Sequence, residues 1–471
     1  MTNYTQYTGA KKIYAFIRQA LAGSDQDFTQ GSIRSAVVLL AIPMILEMMM
    51  ESVFAVVDIF FVGRINNEAV SAVGITESVL TIIYAIGIGL SMAATAIVAR
   101  RIGEKDVEGA SRSGIQSIIL ALLITVLISI SGVLLAPNIL SLIGANAKIV
   151  SEGAIYTRIL FGGSIFIMLL FLINGIFRGA GDAALAMQSL WIANICNIIL
   201  CPMLINGWGP FPKLGLEGAA IATTTGRAIG VLYQLFRLFG DKGILKITAG
   251  YFIPDWKLIG SIFSVAWTGT LQFLIGSASW IFLASIMAKY KDAGIYAGYQ
   301  VAIRLIMFFL LPAWGMSNAV ATLVGQNLGA KQPKRAEQSV WKAAKYNILF
   351  MLAVSVFFLF FSTPLVVFMN KNADTQKYAI QALHIVSIGY IFYGLGMVMM
   401  NAFNGAGDTK TPTLINLFCF WVFQIPFAYL LTSYWKLGPQ GVFIAIVSTE
   451  TLVCLISTFF FMKGNWKKIV V

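Results

Sequence analysis

The sequence predicts an all-α integral membrane protein with twelve transmembrane helices, arranged as two pseudo-symmetric six-helix bundles around a central cleft. Three observations predict this fold. Hydrophobic residues make up 58% of the 471 residues and charged residues only 11%, whereas a soluble protein carries about 25% charged residues. Nine runs free of Asp, Glu, Lys and Arg are long enough to cross a bilayer. Finally, segments of the first half recur 226 residues later.

The number of helices follows from the thickness of the membrane. A spanning helix needs about 20 mostly apolar residues. Three further apolar segments (35–63, 216–236 and 438–462) contain isolated charges and complete the count. Long uninterrupted runs such as 346–370 lack the alternation of β-barrel strands. We expect helices at 35–62, 72–99, 114–135, 155–177, 186–207, 216–239, 258–288, 294–325, 343–363, 378–403, 412–434 and 440–462.

The distribution of basic residues predicts the orientation. Of the 33 Lys and Arg residues, 22 fall in segments on the N-terminal side and 9 on the opposite side, while Arg227 and Arg304 lie in spans. Basic loops stay in the cytoplasm, so both termini are predicted to be cytoplasmic in a multi-pass protein of the bacterial inner membrane. The bias also explains the net charge of +13 without a nucleic-acid partner.

Residues 1–34 are predicted to form a cytoplasmic segment rather than a cleavable signal, because residues 1–30 contain no apolar core of 7–15 residues. Ile17 and Leu21 flank Arg18 at helical spacing, which predicts an interfacial helix on the inner leaflet. A helix that contacts a gate is the alternative. The single His and four Cys leave little for a metal enzyme.

The repeat predicts how the halves are related. GLSMAATAIVARRIGEK at 89–105 matches GMSNAVATLVGQNLGAK at 315–331, and Gly-Ala-Gly-Asp at 179–182 recurs at 405–408. The offset spans six helices, so both copies enter the membrane from the same side around an axis along its normal. The predicted bundles are 35–240 and 258–462, with a cytoplasmic linker at 241–257 and a tail at 463–471. Each Gly-Ala-Gly-Asp segment predicts a turn with an Asp cap; a direct role in gating is the alternative.

Three acids interrupt the apolar sequence of the first predicted transmembrane helix, 35–62. At 100° per residue, Glu47, Glu51 and Asp58 fall within about 40° of one another, whereas the positions 226 residues later carry no charge. Ionisable groups inside a membrane are functional candidates, because a buried carboxyl group can exchange a proton or hold Na⁺. We therefore expect the three acids to be cation- or proton-coupling residues of the N-terminal half. The alternative is a set of protonated acids that hydrogen-bond inside the bundle.

Polar side chains elsewhere in this half are candidate partners. Asn174 and Asn197 are predicted to assist cation or proton binding, while Asn194 and Tyr84 are weaker candidates for substrate binding or gating. Interhelical hydrogen bonding is the alternative for the asparagines. Pro43 frees a backbone carbonyl and kinks a helix, so a bend there is predicted to move the acids; a static kink is the alternative.

The C-terminal half offers Gln272, Trp280 and Tyr299 as candidates for substrate binding or gating. Tryptophan and tyrosine rings can stack on a planar cation. The alternative is that they belong to the bundle core or to the aromatic belt at the membrane interface.

The pattern resembles the multidrug and toxic compound extrusion (MATE) transporters over about residues 35–462. The motifs that carry the resemblance are Pro43 with Asp58-Ile-Phe-Phe-Val-Gly63, Ala72-Val73-Gly74, Ala99-Arg100-Arg101-Ile102-Gly103, and Asn174-Gly175-Ile176-Phe177-Arg178-Gly179-Ala180-Gly181-Asp182 with its repeat.

The resemblance implies an exporter driven by inward H⁺ or Na⁺, with Asp58 as the main coupling residue and Asn174 and Asn197 at the cation site. Cys201 stands where some members have an Asp, Glu51 stands where Gln is frequent, and residues 258–288 contain no acid. The chain is therefore most similar to the subgroup related to the DNA-damage-inducible exporters.

We accordingly expect a monomeric secondary exporter of small cationic or amphiphilic compounds, which works by antiport against H⁺ or Na⁺ through alternating access. It is not expected to be an enzyme or to need a cofactor, and the only metal considered is Na⁺ at Asp58. The alternatives are a flippase of a lipid-linked precursor and a dedicated metabolite exporter of related architecture. A channel is disfavoured because duplication with a one-sided acid cluster is typical of a carrier.

Overall fold

The computed structural model describes residues 10–23, 27–240 and 243–469, and within them the ordered elements are helical. The N-terminal half consists of α1 (Ala10–Ala22), α2 (Ile33–Val62), α3 (Asn67–Gly103), α4 (Val107–Leu142), α5 (Ala147–Gly162), α6 (Ser164–Ala180), α7 (Ala183–Asn206) and α8 (Leu216–Leu238). The C-terminal half consists of α9 (Trp256–Ala288), α10 (Ala293–Gly329), α11 (Pro333–Met369), α12 (Ala373–Ala406), α13 (Lys410–Tyr434) and α14 (Pro439–Lys463). Helix α13 contains two π-helical stretches, Leu417–Gln424 and Leu430–Tyr434.

Twelve membrane-crossing units account for α2–α14. Ten described helices are long and apolar enough to span by themselves, and α5 with α6 forms an eleventh span bent by 41°. Helix α8 has 23 residues, which is enough to cross, although charged Glu217, Arg227 and Arg237 lower its hydropathy. This arrangement confirms the predicted fold of twelve helices in two repeated halves.

Two details differ from the sequence prediction. The helix predicted at 155–177 is broken at Gly163, between α5 and α6. Most helices are also longer than predicted, as in α4, which covers Val107–Leu142 rather than 114–135. Charged residues in their end turns interrupt the charge-free runs that define a span in the sequence.

The N-terminal helix α1 forms where the sequence predicts an interfacial helix. In α1, Tyr14 and Ile17 are exposed while Ala20 is buried against the bundle, and Gln188 Nε2 of α7 donates a hydrogen bond of 3.2 Å to the carbonyl oxygen of Leu21. That α1 lies on the inner leaflet stays a prediction. Residues 1–9, 24–26, 241–242 and 470–471 of the predicted N-terminal segment, linker and tail lie outside the described residues.

The two Gly-Ala-Gly-Asp segments form the predicted turns. Gly181 and Gly407 adopt left-handed φ angles of 95° and 85°. Asp182 Oδ1 then accepts from the backbone N–H of Leu185 at 3.1 Å, and Asp408 Oδ1 accepts from that of Thr411 at 3.2 Å. These contacts confirm the turn-and-cap interpretation.

Repeated glycines mark where the two halves meet. Gly89 of α3 lies against α9, where a Cβ would come within 2.5 Å of the Ala266 carbonyl oxygen. Its repeat partner Gly315 in α10 lies against α2, where a Cβ would come within 2.4 Å of the Met44 carbonyl oxygen. The same sequence position therefore makes a close cross-half contact in each repeat.

A second pair of repeated glycines joins the halves near the end of α3, where Arg100 Nη2 also donates to the Ile469 carbonyl oxygen. A Cβ on Gly103 would lie 2.0 Å from the Gln326 carbonyl oxygen, and a Cβ on Gly329 would lie 2.1 Å from that of Arg100. Nearby, Gln326 Nε2 donates to the Gly179 carbonyl oxygen at 3.0 Å. We call this contact the glycine seam.

Gly315→Ala is expected to destabilise the protein by about 1–3 kcal/mol, because a methyl group there must displace the backbone of α2. The matched control is Gly260→Ala in α9, since a Cβ on Gly260 meets nothing within 4 Å and alanine favours a helix. Thermal unfolding in one detergent tests the pair. Equal unfolding temperatures for the two variants would contradict the tight contact at Gly315.

Candidate cation and substrate sites

The acidic stripe of α2 consists of Glu47, Glu51 and Asp58, and each acid meets a different partner in the N-terminal half. Glu47 is only 2% exposed. Its Oε1 atom accepts from Asn174 Nδ2 of α6 at 3.0 Å and lies 3.4 Å from Arg178 Nη1. This end of the stripe is therefore a buried ion pair with an amide donor.

The sequence does not single out Arg178 as a site residue. Because Arg178 directly precedes the Gly-Ala-Gly-Asp turn, it counts there as one of the basic residues of the loops. It lies instead in the last turn of α6, with a side chain that is 11% exposed. Its Nη2 atom also donates to Ser91 Oγ of α3 at 2.9 Å. The guanidinium thus joins α2, α3 and α6.

Glu51 lies one turn further along α2. Its Oε2 atom accepts from Asn194 Nδ2 of α7 at 3.1 Å. Asn194 therefore contacts the acidic stripe, and its role in substrate binding or gating stays a prediction. Glu51 itself is only half buried.

Asp58 lies two turns beyond Glu51 and is 9% exposed. Its described hydrogen-bond partner is Cys201 of α7, whose Sγ atom donates to Oδ1 at 3.9 Å. Asn197, predicted to assist Asp58, donates from Nδ2 to Thr223 Oγ1 at 2.9 Å instead. The Asn197 Oδ1 atom is buried and has no partner among the described residues.

Arg227 of α8 is the second buried cation of this half. Its Nη2 atom donates to the Tyr84 hydroxyl at 2.9 Å, and the guanidinium lies 5.3 Å from the Tyr84 ring centroid. It interacts electrostatically with Glu51 and Asp58. Glu77 of α3, another residue that the sequence analysis did not single out, interacts in turn with Asp58 and Arg227. These four acids thus face two guanidinium groups, so the cluster has an excess of two negative charges when all of its groups are ionised.

A cavity of about 300 Å³ opens between the halves, beside the end of the acidic stripe that carries Glu47 and Glu51. From the N-terminal half, Glu47, Glu51, Tyr84 and Asn174 line it. From the C-terminal half, its lining includes Phe273, Trp314, Asn318, Asn401 and Asn404. Asp58 does not line this cavity. The acidic stripe therefore has two acids at the cavity and a third, Asp58, buried away from it.

A second cavity, of about 340 Å³, lies mainly in the C-terminal half and contains Gln272 and Trp280 in its lining. Tyr299 lines neither cavity: it is buried, stacks on Phe443 with centroids 6.1 Å apart, and donates to the Trp280 carbonyl oxygen at 3.5 Å. Pro43 lies inside α2 immediately before Met44, where α10 makes its close contact.

Comparisons with known proteins agree with this architecture. The probable multidrug resistance protein NorM of Thermotoga maritima is 26% identical, over 93% of this chain and 94% of that protein. A crystal structure of MATE in complex with MaL6 superimposes with a TM-score of 0.89 at 27% identity, covering 94% of this chain and 99% of that one. An outward-facing multidrug resistance MATE family transporter of the MOP superfamily gives a TM-score of 0.89 at 27% identity, with 95% and 99% covered.

The family model MatE matches residues 43–203 and 270–430, two stretches of equal length that lie one in each half. It therefore finds the duplication seen in the sequence and in the glycine contacts. The chain belongs to the MatE family, the multidrug and toxic compound extrusion transporters that its sequence resembles.

Proposed function

We propose that this protein exports small organic cations from the cell by antiport against H⁺, with Asp58 as the proton-coupling residue. The observation that carries the proposal is the surroundings of Asp58. A buried carboxyl group, 9% exposed, has the Cys201 thiol as its described hydrogen-bond donor, and no group of three or more His, Cys, Asp or Glu side chains suited to a metal occurs in the described residues. Small hard cations such as Na⁺ prefer several oxygen ligands, whereas a proton needs only the carboxylate itself.

The cavity between the halves supports an organic cation as the substrate. Glu51 supplies negative charge at its wall, where Glu47 is already paired with Arg178. Tyr84, Phe273 and Trp314 supply aromatic faces that attract cations. The Glu51 carboxylate also opposes an anionic, lipid-linked head group. Two relatives named as probable multidrug resistance proteins are consistent with export of small organic compounds.

Coupling follows from the placement of both functions on one helix. Helix α2 carries Asp58 and the cavity acids, contains Pro43, and packs against α10 of the other half at Met44. Protonation of Asp58 changes the relative free energies of the conformations that α2 can adopt. A ligand shifts the equilibrium between two conformations only as far as its affinities for them differ. Substrate and proton are thereby coupled through α2.

The ion is tested in proteoliposomes loaded with a fluorescent organic cation. An imposed pH gradient is expected to drive flux, and a Na⁺ gradient at fixed pH is expected to drive none. Cys201→Asp adds oxygen ligands beside Asp58 and is expected to make flux respond to Na⁺, whereas Cys201→Ser keeps a neutral side chain of similar size and serves as the control. Flux driven by Na⁺ alone in the wild type would overturn the assignment of H⁺.

A further inference from the structure

The second cavity contains a buried acid that the proposed coupling at Asp58 does not use. Glu450 of α14 lies in its wall and is 6% exposed. Its Oε1 atom has no hydrogen-bond partner among the described residues. The lining includes no Lys, Arg or His, so no basic side chain in the cavity balances a charge on this carboxylate.

The groups that face Glu450 are neutral. Tyr393 of α12 is its hydrogen-bonding neighbour, and Cys419 of α13 and Cys454 of α14 are the other titratable groups that interact with it. Two more buried acceptors in the same wall, Gln272 Oε1 and Asn404 Oδ1, also have no partner within the described part of the chain. The cavity therefore presents three buried oxygen atoms that accept no hydrogen bond within the described part of the chain.

The duplication shows that this charge is specific to the C-terminal half. Leu214 and Gly215 recur as Leu437 and Gly438, and the same spacing of 223 residues relates Arg227 to Glu450. Arg227 is held by Tyr84 and balanced by acids of its own half. The equivalent position thus carries a compensated cation in one half and an uncompensated acid in the other.

Aromatic rings also line this cavity, beside methionine, leucine and amide side chains. Phe273, Trp280, Trp314, Tyr393 and Phe420 all contribute to its lining. Aromatic faces with a single carboxylate suit a monovalent organic cation that has an apolar body. An inorganic divalent ion would need more charged ligands, and no group of three or more His, Cys, Asp or Glu side chains suited to a metal occurs in the described residues.

We propose that Glu450 is a proton-for-cation exchange site, protonated when the cavity is empty and ionised when an organic cation occupies it. On binding, the O–H bond of the carboxyl group breaks, the proton leaves to water, and the carboxylate pairs with the incoming cation, so the net charge of the cavity is unchanged. A buried charge is tolerated only when it is paired, and this exchange keeps Glu450 neutralised in both states. The inference rests on the proposed function, because it assigns a further site to the exported cation, in a cavity whose wall shares Phe273, Trp314 and Asn404 with the first.

The exchange is tested on purified protein in weakly buffered detergent solution, with tetraphenylphosphonium as the cation and a pH indicator as the reporter. Wild type is expected to release up to about one proton per bound cation. In Glu450→Gln, which keeps the shape of the side chain but cannot ionise, we expect the release to be lost and the affinity to fall by about tenfold or more. Glu450→Asp keeps an ionisable group and is expected to keep the release.

Glu337→Gln is the matched control, because Glu337 pairs with Lys467 at the protein surface and contributes to neither cavity. It is expected to bind and to release protons as wild type does. Wild-type affinity in Glu450→Gln, binding without proton release, or no binding of this cation would overturn the proposal. Gradient-driven flux in the same preparations reports separately on the proposed function: flux that persists with unchanged cation affinity in Glu450→Gln rejects only the exchange site.

Discussion

Asp58→Asn is expected to abolish export driven by a pH gradient while the protein remains folded. Asparagine occupies nearly the same volume and can still accept from the Cys201 thiol, so the packing of α2 against α7 is kept. It cannot bind or release a proton, however, and protonation then no longer distinguishes the states of the transporter. The measurement is the initial rate of efflux from proteoliposomes, with a loss of at least about tenfold expected.

Two controls separate coupling from folding. Size-exclusion profiles and unfolding temperatures are expected to match those of wild type. Asp58→Glu retains an ionisable group and is expected to keep part of the driven flux. Coupled export at the wild-type rate in Asp58→Asn would remove Asp58 from the mechanism and direct attention to Glu51 and Glu77.

Arg178→Met is expected to destabilise the protein by about 3–5 kcal/mol, because it leaves the carboxylate of Glu47 buried without its cation. Methionine preserves much of the apolar stem of Arg178, so loss of charge rather than loss of packing dominates. Thermal unfolding in detergent measures the change.

The double variant Glu47→Gln/Arg178→Met supplies the test of mechanism. Since it removes both charges, it is expected to be clearly more stable than Arg178→Met alone, although Ser91 and Asn174 each lose a partner. The single variant Glu47→Gln completes the cycle. A loss of stability in the double variant equal to the sum of the losses in Glu47→Gln and Arg178→Met would show that the ion pair contributes no coupling energy.

The membrane fold was predictable because the bilayer imposes a length and a composition on each span, and because duplication left matching residues in both halves. The common face of Glu47, Glu51 and Asp58 was predictable for a related reason, since the period of one helix fixes it. The ion pair of Arg178 with Glu47 was not, because the partners are 131 residues apart and meet only through the packing of α6 on α2.

The roles of individual polar groups were also beyond the sequence. Asn194 and Asn197 share a face of α7, yet one binds Glu51 and the other binds Thr223, a choice that depends on the rotation of α7 relative to its neighbours. Tyr299 shows the same limit in the C-terminal half. Its position in a span allowed either a binding role or a core role, and only tertiary packing places it against Phe443.

The glycine seam has a consequence for the speed of the transport cycle. The carbonyl oxygens that Gly103 and Gly329 approach, those of Gln326 and Arg100, already accept helical hydrogen bonds from Ala330 at 2.9 Å and from Glu104 at 3.0 Å. Parting the two helices here breaks neither of these backbone hydrogen bonds; it costs the side-chain hydrogen bond from Gln326 Nε2 to the Gly179 carbonyl oxygen. Water that enters can hydrate the second lone pair of each carbonyl oxygen, which offsets the lost contact. We therefore expect the seam to reopen during transport without a large activation barrier.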